Sequence, residues 1–145
     1  MSQYIPLRLA NAVRDRAGDI CEYCLLPQEL QEATFHVDHV VPLAQKGNTI
    51  IANLALACVT CSLRKGARIR VRDPKTKRTV RIFNPRKDPW DRHFRFTARW
   101  RIQGITTIGR ATAAALGMNR RQMIAIRREL ASMKRFPKER AKHDE

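Results

Sequence analysis

The spacing of apolar positions changes several times along the chain. Over residues 6–17, Leu7, Ala10, Val13 and Ala17 recur at helical spacing. Pro6 suits a first turn and Gly18 a stop, so the stretch predicts a short helix. Residues 20–24 then read as a knuckle with a turn near Pro27. Residues 35–41 are rich in β-branched and aromatic side chains and predict a strand, which Pro42 ends. A loop at 45–48 carries Gly47 and leads to a second short strand or extended stretch at 54–57. Residues 59–65 predict a helix, stopped by Gly66.

Past residue 67 the period becomes two. Arg68, Arg70 and Arg72 alternate with Ile69 and Val71, a strand with a basic face. Residues 73–77 make a turn, and 79–83 the return strand of a basic hairpin. A loop at 84–89 holds two prolines. Over 94–105 the chain reads as further extended structure, with Phe94, Phe96, Ala98, Trp100 and Ile102 on one face. Arg95, Thr97, Arg99 and Arg101 take the other. Trp90, Phe94, Phe96 and Trp100 read as a small core rather than a base-stacking platform, with His93 structural. Residues 107–116, ended by Gly117, and 120–133 predict two helices, the second with Met123, Ile124, Ile126, Leu130 and Met133 apolar. The tail at 136–145 is polar and expected to be mobile. No internal repeat is present.

The length, 145 residues, suits one compact domain or one domain with an extension. No apolar run approaches the roughly 20 residues of a spanning helix, so no membrane partner is expected. Residues 1–8 lack a basic stretch followed by an apolar core, which points to a cytoplasmic protein. Charge changes the picture more. Lys and Arg number 29 against 13 Asp and Glu, a net of +16. Residues 1–61 hold four basic and six acidic side chains, a net of −2, whereas 62–145 hold 25 and seven, a net of +18. Such segregation points to a polyanionic partner, nucleic acid above all, and disfavours a purely structural or adaptor role.

All four cysteines lie in the near-neutral half. Cys21, Cys24, Cys58 and Cys61 form two Cys-x-x-Cys pairs. In a reducing compartment disulfides are disfavoured. Redox pairs or buried free thiols are the alternatives, but two matched pairs fit one four-coordinate structural zinc better. The long gap between Cys24 and Cys58 must then hold structure of its own.

That gap contains His36-Val37-Asp38-His39-Val40-Val41-Pro42, which puts a carboxylate and an imidazole in one small volume. Gly47, Asn53-Leu54 and Cys58-Val59-Thr60-Cys61-Ser62-Leu63-Arg64-Lys65-Gly66 follow. The order Asp-His-x-x-Pro, glycine loop, Asn-Leu, Cys-x-x-Cys and Lys-Gly resembles the HNH endonuclease family, over a span from Cys21 to Gly66. Further on, Asn84-Pro85-Arg86, Trp90 and His93-Phe94, with Gly109-Arg110-Ala111-Thr112 and Gly117-Met118-Asn119-Arg120, resemble small stand-alone bacterial members of the family. The chemistry is compatible on its own terms. A His of near-neutral pKa can take a proton from water, and a hard divalent ion on a carboxylate can stabilise a phosphodiester transition state.

The resemblance implies a ββα-metal (HNH) motif; with the four-cysteine zinc site and the basic C-terminal extension of a β-hairpin and two helices read from the residue pattern, the fold expected is α+β. The division expected is a nuclease core at 1–67 and an extension at 68–145 packed on it. Position by position, His39 matches the general base, Asp38 a metal ligand, and Asn53 the residue that braces the loop. The third catalytic position usually holds His or Asn and here holds Ser62. Either Ser62 binds the ion, directly or through water, or another residue such as His36 substitutes. On a regular strand His36 and Asp38 face one side and His39 the other. Arg64, Lys65, Arg68, Arg70 and Arg72 are expected to hold the nucleic-acid backbone. The implied cofactors are structural Zn2+ and a catalytic divalent cation such as Mg2+ or Mn2+, with no small-molecule cofactor. The implied substrate is DNA, RNA remaining open. The competing reading is a zinc-braced nucleic-acid-binding protein whose site is degenerate at Ser62.

Overall fold

A computed structural model describes residues 4–139. The fold is mixed α+β, with five helices and three two-stranded antiparallel sheets among those residues. Helix α1 (Leu7–Ala17) starts after Pro6 and ends on Gly18, whose φ of 63° gives the left-handed turn that glycine adopts at least cost. Of the expected apolar stripe Val13 is buried, but Leu7 is exposed. Leu9 packs on the core instead. The register of α1 is set by two arginines. Arg14 donates to the Phe35 carbonyl at 2.9 Å, and Arg16 to the Ile51 and Leu54 carbonyls at 2.8 and 2.5 Å.

These carbonyls flank a hairpin made by β1 (His36–His39) and β2 (Leu54–Ala57), in which His36 faces Ala57 and His39 faces Leu54. Every residue of β2 is buried, which explains its unbroken apolar run Leu-Ala-Leu-Ala. The knuckle closes on the same strand, since Glu22 N–H donates to the Leu56 carbonyl and Leu56 N–H to the Glu22 carboxylate, both at 2.8 Å. Helix α2 (Val59–Lys65) follows directly and ends at Gly66.

The extension contains more than the hairpin and two helices expected. Strands β3 (Arg70–Arg72) and β4 (Thr79–Arg81) form the basic hairpin, with Val71 buried. A four-residue helix α3 (Trp90–His93) is added to the expected elements. The stretch that reads as continuous extended chain is a second hairpin, β5 (Phe94–Phe96) and β6 (Ile102–Gly104). Its turn is held by the Thr97 hydroxyl, which accepts from Arg99 and Arg101 N–H at 3.3 and 3.2 Å, while Trp100 takes a φ of 62°. Helices α4 (Thr107–Ala115) and α5 (Arg121–Ser132) lie as expected. Thr106 caps α4, accepting from Gly109 N–H at 3.0 Å. Gly109 is required there, because a Cβ would sit 2.0 Å from the His93 carbonyl oxygen.

Residues before and after position 67 share one apolar cluster, from Val13 through Leu54 and Phe83 to Leu130. The Trp90 indole N–H donates to the Tyr23 carbonyl at 2.9 Å, and Arg86 pairs with Glu22. Rings of Trp90 and Phe94, and of Trp90 and Phe96, lie 5.1 Å apart, so these aromatics form core as expected. Phe136 corrects the reading of the tail: it is buried, with ring centroids 5.2 Å from Phe96 and 5.5 Å from Trp100. Residues 140–145 of that tail lie outside the described residues. Among the described residues no helix is long and apolar enough to cross a membrane.

Candidate metal centre and active site

The two Cys-x-x-Cys pairs converge. The sulfurs of Cys21, Cys24, Cys58 and Cys61 all lie within 4.8 Å of one another, and each residue is buried. The Cys24 and Cys58 sulfurs are 3.7 Å apart. A tetrahedron with metal–sulfur bonds of about 2.3 Å has an edge of about 3.8 Å, so the set has the size a zinc ion needs. In each pair the backbone turns back on the first sulfur: Cys24 N–H points to Cys21 Sγ at 3.5 Å and Cys61 N–H to Cys58 Sγ at 3.4 Å. Hydrogen bonds from Cys21 and the other thiols hold Cys58 well below the ordinary thiol range. The same contacts, with burial, push Cys24 and Cys61 well up. Four thiols this close cannot all ionise without a cation, and a divalent ion reverses that balance.

Next to this centre, α2 lies against β1. His36, exposed at the start of β1, places Nδ1 2.8 Å from the Ser62 hydroxyl on α2. The two candidates for the third catalytic position are therefore in contact. Asp38 follows His36 on the same face, and its charge acts on Tyr23, His39 and Lys65. Among the described residues the four cysteines are the one set of three or more His, Cys, Asp or Glu whose ligand atoms converge.

His39 is buried, with Nε2 2.8 Å from the Thr49 hydroxyl. Burial lowers its pKa, against the pull of Asp38 and together with the Lys65 charge. The loop that carries Thr49 is clamped by Asn53. Its Oδ1 accepts from Val41 N–H at 2.9 Å, and its Nδ2 donates to the Val41 and Asn48 carbonyls at 3.0 and 2.8 Å. Gly47 completes this closure, because a Cβ there would lie 1.7 Å from the Val41 oxygen.

Lys65 departs from expectation. Its side chain is buried rather than turned to a nucleic-acid backbone, and Nζ donates to the His39 carbonyl at 3.0 Å. Burial lowers its pKa, and the Asp38 charge opposes this. Spacing alone cannot separate Lys65 from Arg64, its exposed neighbour. Neither Thr49 nor Tyr23 stands out in the sequence. Thr49 lies in a polar loop without periodicity, and Tyr23 sits inside the first knuckle, its buried hydroxyl without a hydrogen-bond partner.

The other arginines expected to hold a nucleic-acid backbone lie at the end of α2, along β3 and in the link between them. Arg64, Arg68, Arg70 and Arg72 are exposed, and none is in an ion pair among the described residues. Arg68 bonds the Arg64 carbonyl and, at 3.4 Å, that of Ala115. Arg70 donates to the Thr79 carbonyl at 3.3 Å. The hairpin is fixed at its turn, where Asp73 takes Arg110 of α4 in two hydrogen bonds of 3.1 and 3.0 Å. These contacts, led by the one from Arg110, hold the Asp73 carboxyl below the usual carboxylate range.

Residues 21–68 match the HNH endonuclease family. The matched segment runs from the first Cys-x-x-Cys knuckle through β1, β2 and α2 to Arg68, about a third of the chain. No curated protein and no solved structure matches the chain.

Proposed function

We propose that this chain is a divalent-metal-dependent endonuclease that hydrolyses DNA phosphodiester bonds, with its four cysteines on a structural zinc. The observation that carries this reading is the setting of His39. A buried imidazole of lowered pKa, gripped at Nε2 by Thr49 and at its own carbonyl by Lys65, follows Asp38 directly within the HNH-matched segment. Such a group is neutral near pH 7 and fixed in direction, which is what a general base requires.

Each residue then has a distinct task. In the tautomer protonated at Nε2, the Thr49 oxygen accepts from Nε2–H and the Nδ1 lone pair of His39 takes the proton of an attacking water. Asn53 holds the loop that carries Thr49, and Lys65 holds the strand that carries His39. Asp38 anchors the ion, and His36 or Ser62 completes the protein's share of the shell. A divalent ion bound there supplies neutralisation of charge on the phosphate and the leaving oxygen. Residues 1–67 carry the chemistry, and 68–145 supply affinity through Arg70, Arg72 and their neighbours, with Arg64 and Arg68 at the junction. The protein acts in the cytoplasm, where thiols stay reduced.

One observation favours a second reading, a zinc-braced nucleic-acid-binding protein without catalysis. Ser62 replaces the usual His or Asn, and no three-ligand His, Cys, Asp or Glu set forms around Asp38 among the described residues. Incubation of supercoiled plasmid with the protein and Mg2+, Mn2+ or Ni2+ separates the two. Nicked or linear product that disappears with chelator and in Asp38→Ala supports the nuclease. Binding without product under every ion supports the alternative.

A further inference from the structure

Several arginines past residue 80 serve the fold: Arg81, Arg86 and Arg110 pair with Asp88, Glu22 and Asp73. Four others do not. Arg99 and Arg101 on the β5–β6 turn, and Arg121 and Arg128 on α5, are exposed, with no side-chain hydrogen bond or ion pair among the described residues. On α5, Arg121, Ala125, Arg128 and Ser132 recur at helical spacing along one stripe, away from the buried Met123, Arg127 and Leu130. At the turn the Trp100 ring packs inward, with centroids 5.8 Å from Phe96 and 5.5 Å from Phe136, which leaves Arg99 and Arg101 on either side of it to solvent.

The turn and the stripe are the two walls of a furrow. A hollow of about 840 Å³ lies between them, with Arg99 and Trp100 on one wall and Arg128 on the other. A second, of about 310 Å³, shares Ala125 and Arg128 with the first and takes in Arg101 and Arg121. Glu129 is the one acidic residue in either lining. The walls are fixed to each other from beneath. The enclosed Arg127 of α5 donates from Nε to the Trp100 carbonyl at 2.7 Å and from Nη2 to Asn119 Oδ1 at 3.2 Å, and Asn119 holds the Ile102 backbone by two 2.7 Å hydrogen bonds. Four guanidiniums are thus set out in advance on two rigid walls, an arrangement that favours a polyanion of repeated charge. A single strand would be held by stacking on a free aromatic face, but the Trp100 ring is engaged by Phe96 and Phe136, so the contacts available are to phosphates. We propose that this furrow binds the phosphodiester backbone of duplex DNA flanking the bond that is cut. The proposal rests on the reading of DNA as substrate. No residue of either lining belongs to the segment 21–68 or to β3, so the furrow is a second DNA contact, separate from that of Arg64, Arg68, Arg70 and Arg72.

The test uses the full chain and measures binding to duplex DNA against salt concentration, without added divalent ion so that no cleavage intervenes. Arg99→Gln with Arg128→Gln removes one charge from each wall. It should lower the slope of log affinity against log salt by about 2, one phosphate contact each. Arg101→Gln with Arg121→Gln should do the same, and serves if the first pair does not fold. Arg8→Gln with Arg92→Gln is the control of equal charge, since both residues are exposed and line neither hollow; its slope should stay within about 0.5 of the original. Single-stranded DNA of the same sequence should show a smaller loss in the furrow variants than duplex does. An unchanged slope in both furrow pairs would overturn the proposal, as would a control that loses as much as they do, because net charge alone would then account for the effect. A loss confined to single-stranded DNA would overturn duplex as the occupant. In each of these cases salt-dependent binding by the unaltered chain leaves DNA as substrate standing, whereas unaltered protein that does not bind duplex DNA would overturn both.

Discussion

Asn53→Ala tests whether the loop clamp holds the candidate base in place. The substitution deletes three hydrogen bonds, two with the Val41 backbone and one with the Asn48 carbonyl. A net value of about 1 kcal/mol each gives about 3 kcal/mol. Asn53 is half-buried and Asn48 exposed, so water can replace part of the third bond and the expected loss is about 2–3 kcal/mol. For a chain of this length each kcal/mol lowers the melting temperature by about 3–4 °C, which predicts a fall of about 6–12 °C. Asn53→Asp is the sharper comparison. It keeps the acceptor for Val41 N–H but turns an oxygen toward two carbonyls, so it should melt at or below the Ala variant. Thermal unfolding by circular dichroism reads both, and cleavage should fall because Thr49 rides on the released loop. An Asn53→Ala protein melting within about 2 °C of the original, or an Asn53→Asp protein matching it, would refute the clamp.

Metal analysis should find one zinc per chain, and Cys24→Ser or strong chelation should unfold the protein rather than only silence it, because zinc binding here is folding energy. The rate of cleavage should fall on acidification with a midpoint below about 6.5, since burial lowers the folded pKa of His39 and the base must be neutral to work. Stability shifts in the same direction: a depressed histidine pKa lets the unfolded chain take up the proton first, so the folded state weakens as pH falls below about 6.5. Thr49→Val should cut kcat with little change in DNA affinity, and Thr49→Ser should restore it; equal rates in all three would remove Thr49 from the mechanism. Arg70→Gln with Arg72→Gln should weaken DNA binding and reduce the slope of log affinity against log salt by about 2, one phosphate contact each. An unchanged slope would place the nucleic acid elsewhere.

The sequence is most legible where local chemistry and burial agree. Pro6 and Gly18 bracket α1, Pro42 follows β1, and Gly66 ends α2, all because backbone demands at element ends are local. The convergence of the cysteines is also legible, since paired spacing needs no knowledge of the intervening fold. Reversal of the chain at 97–101 is hidden because alternation runs through it, and the turn rests on the Thr97 hydroxyl and a positive φ at Trp100 rather than on Gly, Pro or Asn. Leu9, outside the expected stripe, packs on the core while Leu7 is exposed, and Arg14 and Arg16 tie α1 to the carbonyls of Phe35, Ile51 and Leu54. Lys65 and Arg127 defeat the rule that places cations outside, each by finding carbonyl oxygens within the fold. Phe136 reads as tail because its flanking residues are polar, yet its ring completes the cluster of Phe96 and Trp100.

The most direct measurement compares unaltered protein with His39→Ala on supercoiled plasmid, with DNA affinity measured in parallel. The account predicts that divalent ions support cleavage by the unaltered chain, that the Ala variant loses it, and that affinity is nearly the same in both, because only proton transfer has been removed. Cleavage by His39→Ala at the original rate would contradict the assignment of the base, however closely residues 21–68 match the family.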